Sequence, residues 1–141
     1  DFCLSRGLGD VYKRQCLERA DAFIVVTPEY NHGYPAPLKH LIDSVSREWQ
    51  AKPLAFVSYG GVSGGLRAVE QLRQVFTELH VATMRNSVSF ANAREQFDEQ
   101  GRLYAPTRAE KSMEMMLAQL HWWAVALKDA RRTIPYGIVA T

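Results

Sequence analysis

Two short apolar runs, Phe23-Ile24-Val25-Val26 and Leu54-Ala55-Phe56-Val57-Ser58, constrain this chain more than any other feature. Each is too short for a helix, and each stops at a turn signal: Pro28 after the first, Gly60-Gly61 after the second. Continuous apolar runs rich in β-branched residues are the mark of strands covered on both faces, as in parallel sheets. Parallel neighbours need crossover connections, usually helical. A third strand is expected over Val81 to Phe90, where Arg85 and Asn86 interrupt the apolar pattern, as an edge position allows.

The segments between the runs have helical spacing. Pro35 and Pro37 sit where a first helical turn tolerates proline, and Leu38, Leu41, Ile42, Val45 and Trp49 form one apolar face. Leu66, Val69, Leu72, Val75, Phe76 and Leu79 form another, with Arg67, Glu70, Arg73, Gln74 and Glu78 on the opposite side. Residues 91–106 read as a polar loop. Thr107 with Glu110 makes a capping box for a last helix, whose stripe is Met113, Met116, Leu117, Leu120, Trp123, Ala124 and Leu127. The alternation predicts an α/β fold with a parallel sheet.

In such sheets ligands bind outside the carboxyl ends of the strands. Two loops leave those ends here, Thr27-Pro28-Glu29-Tyr30-Asn31 and Ser58-Tyr59-Gly60-Gly61-Val62-Ser63-Gly64-Gly65. Pro28 holds the chain extended and should leave the following amides free for a ligand. Tyr30 offers an aromatic face, and Asn31 an amide that both donates and accepts. The glycines let a ligand approach the backbone, and the helix start beyond them favours an anion or an electron-rich ring.

The bulk numbers suit one domain. Of the 141 residues 47% are hydrophobic and 23% charged, enough to bury roughly two thirds of the unfolded surface. The net charge of +2 comes from scattered basic residues, which argues against nucleic-acid binding. No apolar stretch reaches the roughly 18 residues of a membrane span, and no signal-peptide pattern occurs, so the default location is the cytoplasm. Cys3 and Cys16 form no metal or disulfide pattern, and His32, His40, His80 and His121 lack a second ligand at suitable spacing.

Residues 1–15 have no helical or strand period. The stretch Ser5 to Gln15 resembles translated adaptor read-through, so 1–15 is expected to be a non-native tail, 16–135 the domain and 136–141 a second tail.

Taken together, Thr27-Pro28-Glu29-Tyr30-Asn31, then Pro35, Pro37, Leu38, Lys39 and Asp43, then Gly60-Gly61 and Gly64-Gly65-Leu66-Arg67, with Leu72-Arg73-Gln74-Val75 beyond, resemble the NAD(P)H-dependent FMN reductase family. That family is flavodoxin-like and includes flavin, quinone, azo-dye and chromate reductases. The resemblance covers about Ala20 to Leu127. It implies a three-layer α/β/α fold with a parallel sheet, in which the first strands and the family's Gly-Ser-x-Arg-type loop that cradles the FMN phosphate are missing.

The resemblance also implies FMN as cofactor, NADPH or NADH as co-substrate, a small-molecule electron acceptor and, when intact, a homo-oligomer. It assigns FMN contacts to Pro28, Glu29, Tyr30 and Asn31 on one loop and to Ser58, Tyr59, Gly60, Gly61 and Gly64 on the other. Hydride transfer to the flavin and on to an electrophilic acceptor requires no side chain as acid or base, so no catalytic residue is named.

Three other classes compete. A flavodoxin-type electron carrier would be acidic, whereas this chain is slightly basic, and a flavin-storage or redox-sensing module would lack turnover. A serine hydrolase could use Ser63, because Gly61-Val62-Ser63-Gly64-Gly65 matches G-x-S-x-G and Asp98 and His121 follow in the right order.

Overall fold

The computed structural model describes residues 2–139, and side chains from residue 11 onward. Helix α1 (Phe2–Arg19) leads into strand β1 (Phe23–Pro28), followed by α2 (Ala36–Asp43), β2 (Pro53–Tyr59), α3 (Leu66–Glu78), β3 (Ala82–Phe90), α4 (Pro106–Thr133) and a single turn, α5 (Tyr136–Val139). The strands form one parallel sheet in the order β1-β2-β3.

The sheet separates two apolar clusters, giving three layers. On one face Phe23, Leu54 and Phe56 pack with Ile42, Val45 and Trp49 from the α2 region and Val69, Leu72 and Phe76 from α3. On the other, Ala55, Val57, Met84 and Val88 meet Met116 and Leu120 of α4. This alternation of faces along β2 explains its unbroken burial up to Ser58. β1 is covered on one face alone, so Ile24 (43% exposed) and Val26 (63%) stand open on the α4 side.

Several boundaries differ from the sequence reading. The segment 2–15, read as lacking an element, continues the helix that ends at Arg19, although its described side chains up to Cys16 are exposed and Leu17 is the first to pack on the core. The 136–141 tail contains α5 over its described residues. The helix read through Trp49 stops at Asp43. A 3-10 turn at Arg47–Trp49 still delivers Trp49 to the core, where its indole N–H donates to the Ile42 carbonyl at 3.2 Å. Helix α4 starts one residue before the expected Thr107 cap. Pro106, with its φ already helical, takes the first turn, and no side chain caps it.

β3 is an edge strand as expected, but its polar centre has a further cause. Leu54 faces Thr83 and Phe56 faces Ser87, so β3 takes four steps where β2 takes two. The bulge frees carbonyls, and Arg73 on α3 donates to those of Met84 (2.6 Å) and Arg85 (3.1 Å) while lying 5.3 Å above the Phe56 ring.

Candidate functional site

Pro28 and Tyr59 are register partners, so the loops after β1 and β2 leave the sheet side by side. The Glu29 N–H donates to the Tyr59 carbonyl (3.2 Å) and the Gly60 N–H to that of Phe90 (3.2 Å), which continues the ladder one step into both loops.

The first loop closes at once. Tyr30 and Gly33 exchange N–H···O bonds of 2.9 and 3.0 Å around Asn31 (φ 49°) and His32 (φ 69°), a two-residue turn with both central residues left-handed. The expectation that Pro28 leaves the next amides free is therefore corrected. The turn and the ladder consume those of Glu29 and Tyr30, while the side chains of Tyr30 and Asn31 remain exposed. Gln71 of α3 anchors the turn by donating to the His32 carbonyl at 2.9 Å.

The second loop uses its glycines for two purposes. A Cβ on Gly64 would lie 2.3 Å from the Ser89 hydroxyl, and one on Gly65 would lie 2.7 Å from the Ser58 Cβ and 3.0 Å from the Tyr59 nitrogen. Both glycines have positive φ and both are buried. The Ser58 and Ser89 hydroxyls donate to the Gly64 carbonyl at 2.8 and 2.9 Å, and the amides of Asn92 and Ala93 donate to the carbonyls of Gly61 and Gly60. A Cβ on Gly61, in contrast, would meet nothing within 4 Å. Among the described residues, the N–H groups of Gly61, Val62 and Ser63 have no protein acceptor. They form a row of free donors at the loop tip, beside the half-exposed Tyr59 ring and an almost fully exposed Val62.

The nine residues singled out from sequence thus divide. Tyr30, Asn31, Tyr59 and Gly61 are exposed on the two loops, Pro28 and Gly60 are half-buried at their base, and Ser58 and Gly64 are buried. Glu29 turns away toward α3. Its side chain is 6% exposed, accepts the Arg67 N–H at 3.1 Å and pairs with the Arg67 guanidinium at 3.0 Å. Desolvation acts to raise this carboxyl, but the Ser63 hydroxyl, the Arg67 amide and charge and the Ala68 amide outweigh it and hold the group below its ordinary range.

Sequence reasoning missed Arg67 and Gln71 as loop anchors, and Ser89, Asn92 and Ala93 as supports. Arg67 and Gln71 could have been found, because they sit four apart at the start of α3, on the side facing away from its buried residues.

The serine-hydrolase constellation does not assemble. β2 ends four residues before Ser63, so there is no tight strand-to-helix turn. The Ser63 oxygen accepts the Gly65 N–H, and its hydroxyl serves Glu29. Asp98 is occupied by the Arg102 guanidinium and the amides of Gln100 and Arg102, and His121 is exposed on α4.

The described residues contain no cluster of three metal-ligating side chains and no helix long and apolar enough to cross a membrane. A cavity of about 520 Å³ lies away from the two loops, between β3 and α4, lined by Met84, Arg85, Gln119, Trp122 and Trp123. The loop face differs from this cavity in offering backbone donors at adjacent strand ends, where the cavity offers the side chains of Arg85, Trp122 and Trp123.

The chain is similar to known proteins in sequence and in fold. The chain is 37% identical over 121 residues to a Solanum tuberosum protein named NAD(P)H:quinone oxidoreductase, covering 82% of this chain and 61% of that one. It is 51% identical over 65 residues to a Schizosaccharomyces pombe protein named NAD(P)H-dependent FMN reductase, covering 45% of this chain and 32% of the relative. The chain therefore spans between about a third and two thirds of the length of these relatives. Among solved structures, the flavoenzyme NAD(P)H:(acceptor) oxidoreductase FerB of Paracoccus denitrificans shares the fold with a TM-score of 0.62 at 22% identity, over 85% of this chain and 68% of that one. The model of the NADPH-dependent FMN reductase family matches residues 13–95, more than half of the chain and the whole span of both loops, and the chain belongs to that family.

Proposed function

We propose that the chain carries the ring-binding part of an FMN-dependent NAD(P)H oxidoreductase of the flavin, quinone, azo or chromate reductase type. The observation that carries this reading is the row of free N–H groups at Gly61, Val62 and Ser63, beside the exposed rings of Tyr30 and Tyr59 at adjacent strand ends. The residues fit a flavin ring: backbone donors suit its carbonyls and nitrogens, and the absent Cβ of Gly61 admits close approach. When bound, FMN would supply the redox chemistry, taking a hydride from NADPH or NADH and passing the electrons to a small electrophilic acceptor.

The chain's own residues would bind, orient and polarise. The three amides would favour charge developing on the edge they face, at no reorganisation cost because the loop is already pinned from below. Tyr30 would border the acceptor, and the Asn31 amide would read the ring edge. Glu29, Ser58 and Gly64 would act beneath the site. For the FMN phosphate, no segment here matches the family's Gly-Ser-x-Arg-type loop, so affinity in this chain would rest on the ring half alone. A cytoplasmic location and a homo-oligomeric whole protein belong to the same proposal.

The test is a titration of FMN against the purified chain, followed by flavin fluorescence. Saturable quenching that Gly61→Val abolishes is the expected result. Fluorescence that stays linear up to millimolar protein would sink the reading. Oxidation of NADPH in the presence of a quinone then separates a reductase from an electron carrier.

A further inference from the structure

We propose that Glu29 is the positioning residue of the loop face: its carboxylate reaches from the end of β1 into the first turn of α3 and fixes the two loops against each other. It does so without touching the ring. This assignment rests on the flavin reading for what the loops hold, and on the hydrogen bonds of the chain for the rest.

The need for Glu29 follows from Gly65. The N-cap of α3 has φ 83° and no room for a Cβ, so it must be glycine, and glycine has no side chain to satisfy the first-turn amides. No acidic residue occurs in the first turn of α3 either. The cap therefore comes from elsewhere in the chain. Glu29, 38 residues earlier in sequence, takes the Arg67 amide and guanidinium, and the Ala68 amide and Ser63 hydroxyl point to the same carboxylate. One side chain thus joins the end of β1, the glycine loop and α3.

The charge matters as well as the reach. A carboxylate at the positive end of α3 and against Arg67 offsets both, leaving the ring-facing side with N–H dipoles rather than a net cationic charge. Loss of that charge should favour the reduced, more negative form of a bound flavin.

The experiment compares the wild-type chain with Glu29→Gln and Arg67→Met, first without FMN. Amide hydrogen exchange should quicken about tenfold at Arg67 and Ala68 in Glu29→Gln, the scale of a lost charged hydrogen bond. Leu72 and Phe76 should keep wild-type rates. Arg67→Met, which keeps its backbone amide, should show a smaller change in the same direction and stands in if Glu29→Gln does not fold. Unchanged exchange at Arg67 and Ala68 would overturn the proposal.

The second arm measures the FMN dissociation constant and the two-electron potential of the bound flavin. Glu29→Gln should bind oxidised FMN more weakly. It should also raise the preference for reduced over oxidised flavin about tenfold, an upward shift of about 30 mV. A downward shift, or affinity and potential both at wild-type values, would also overturn the proposal. If the wild-type chain takes up no FMN, the flavin reading fails, and the exchange experiment still decides the role of Glu29.

Discussion

Gly61 and Gly65 stand four residues apart in one loop, and adding a methyl group to each should have opposite consequences. At Gly65, φ is 83°, a conformation that costs an L-residue about 1–2 kcal/mol. The new Cβ would lie 2.7 Å from the Ser58 Cβ and 3.0 Å from the Tyr59 nitrogen, both belonging to the central strand β2, which is hydrogen-bonded on each side. Neither neighbour is a flexible tip that can swing aside, so a further 1–3 kcal/mol of overpacking is expected, for a total of roughly 2–5 kcal/mol. For a chain of this length, a loss of about 3 kcal/mol corresponds to a fall in Tm of about 10 °C. At Gly61 there is no atom within 4 Å of the new methyl and φ lies outside the positive region, so Gly61→Ala should leave stability unchanged or raise it by about 0.4–1 kcal/mol through the unfolded chain. Thermal and urea unfolding of the two variants by circular dichroism makes the comparison. Equal destabilisation, or Gly61→Ala as the less stable of the two variants, would refute the division of this loop into a packed base and an open tip.

Four further outcomes follow from the same contacts. Arg73→Met should leave the bulge carbonyls of Met84 and Arg85 without their donor and cost about 2–3 kcal/mol in urea unfolding, and a loss below 0.5 kcal/mol would mean that water replaces the guanidinium. His32→Gly should relieve a left-handed residue and raise stability by up to about 1 kcal/mol once the greater freedom of glycine in the unfolded chain is discounted, with a lower Tm counting against the turn geometry. The Glu29 carboxyl is held below its ordinary value of 4.5, so its contribution is fully present above that value and drains away as pH falls below it; Glu29→Gln should flatten this part of the stability profile, and parallel profiles for the two proteins would contradict the shift. The wild-type chain should associate with rising concentration in light scattering, and Val26→Lys, on the open face of an edge strand, should suppress this; association of the variant at wild-type strength would place the contact elsewhere.

The layers of this fold were legible because burial on both faces leaves a mark in composition. β2 is apolar at every step from Pro53 to Val57, and both of its faces are covered. Boundaries were less legible where local propensity and tertiary contact part ways. Val45 and Trp49 keep helical spacing from Ile42 although the helix ends at Asp43, because the core selects their side chains and not the backbone between them. Glu29 shows the same limit at the site. In sequence it sits beside Tyr30 and Asn31, both exposed, and reads as one of them, while the partner that turns it inward, the amide end of α3, lies 38 residues away. A run of glycines is ambiguous for a related reason. Close approach of a ligand and close approach of the chain's own backbone both exclude a Cβ, and composition records the exclusion without its cause. At Gly64 and Gly65 the excluding atoms belong to Ser89, Ala91, Ser58 and Tyr59 of this chain; at Gly61 there are none, so packing within the chain does not call for a glycine there. Gly61 thus stands at an open loop tip, within the row of amides that have no acceptor among the described residues, and it is there that the proposed ring would approach the backbone.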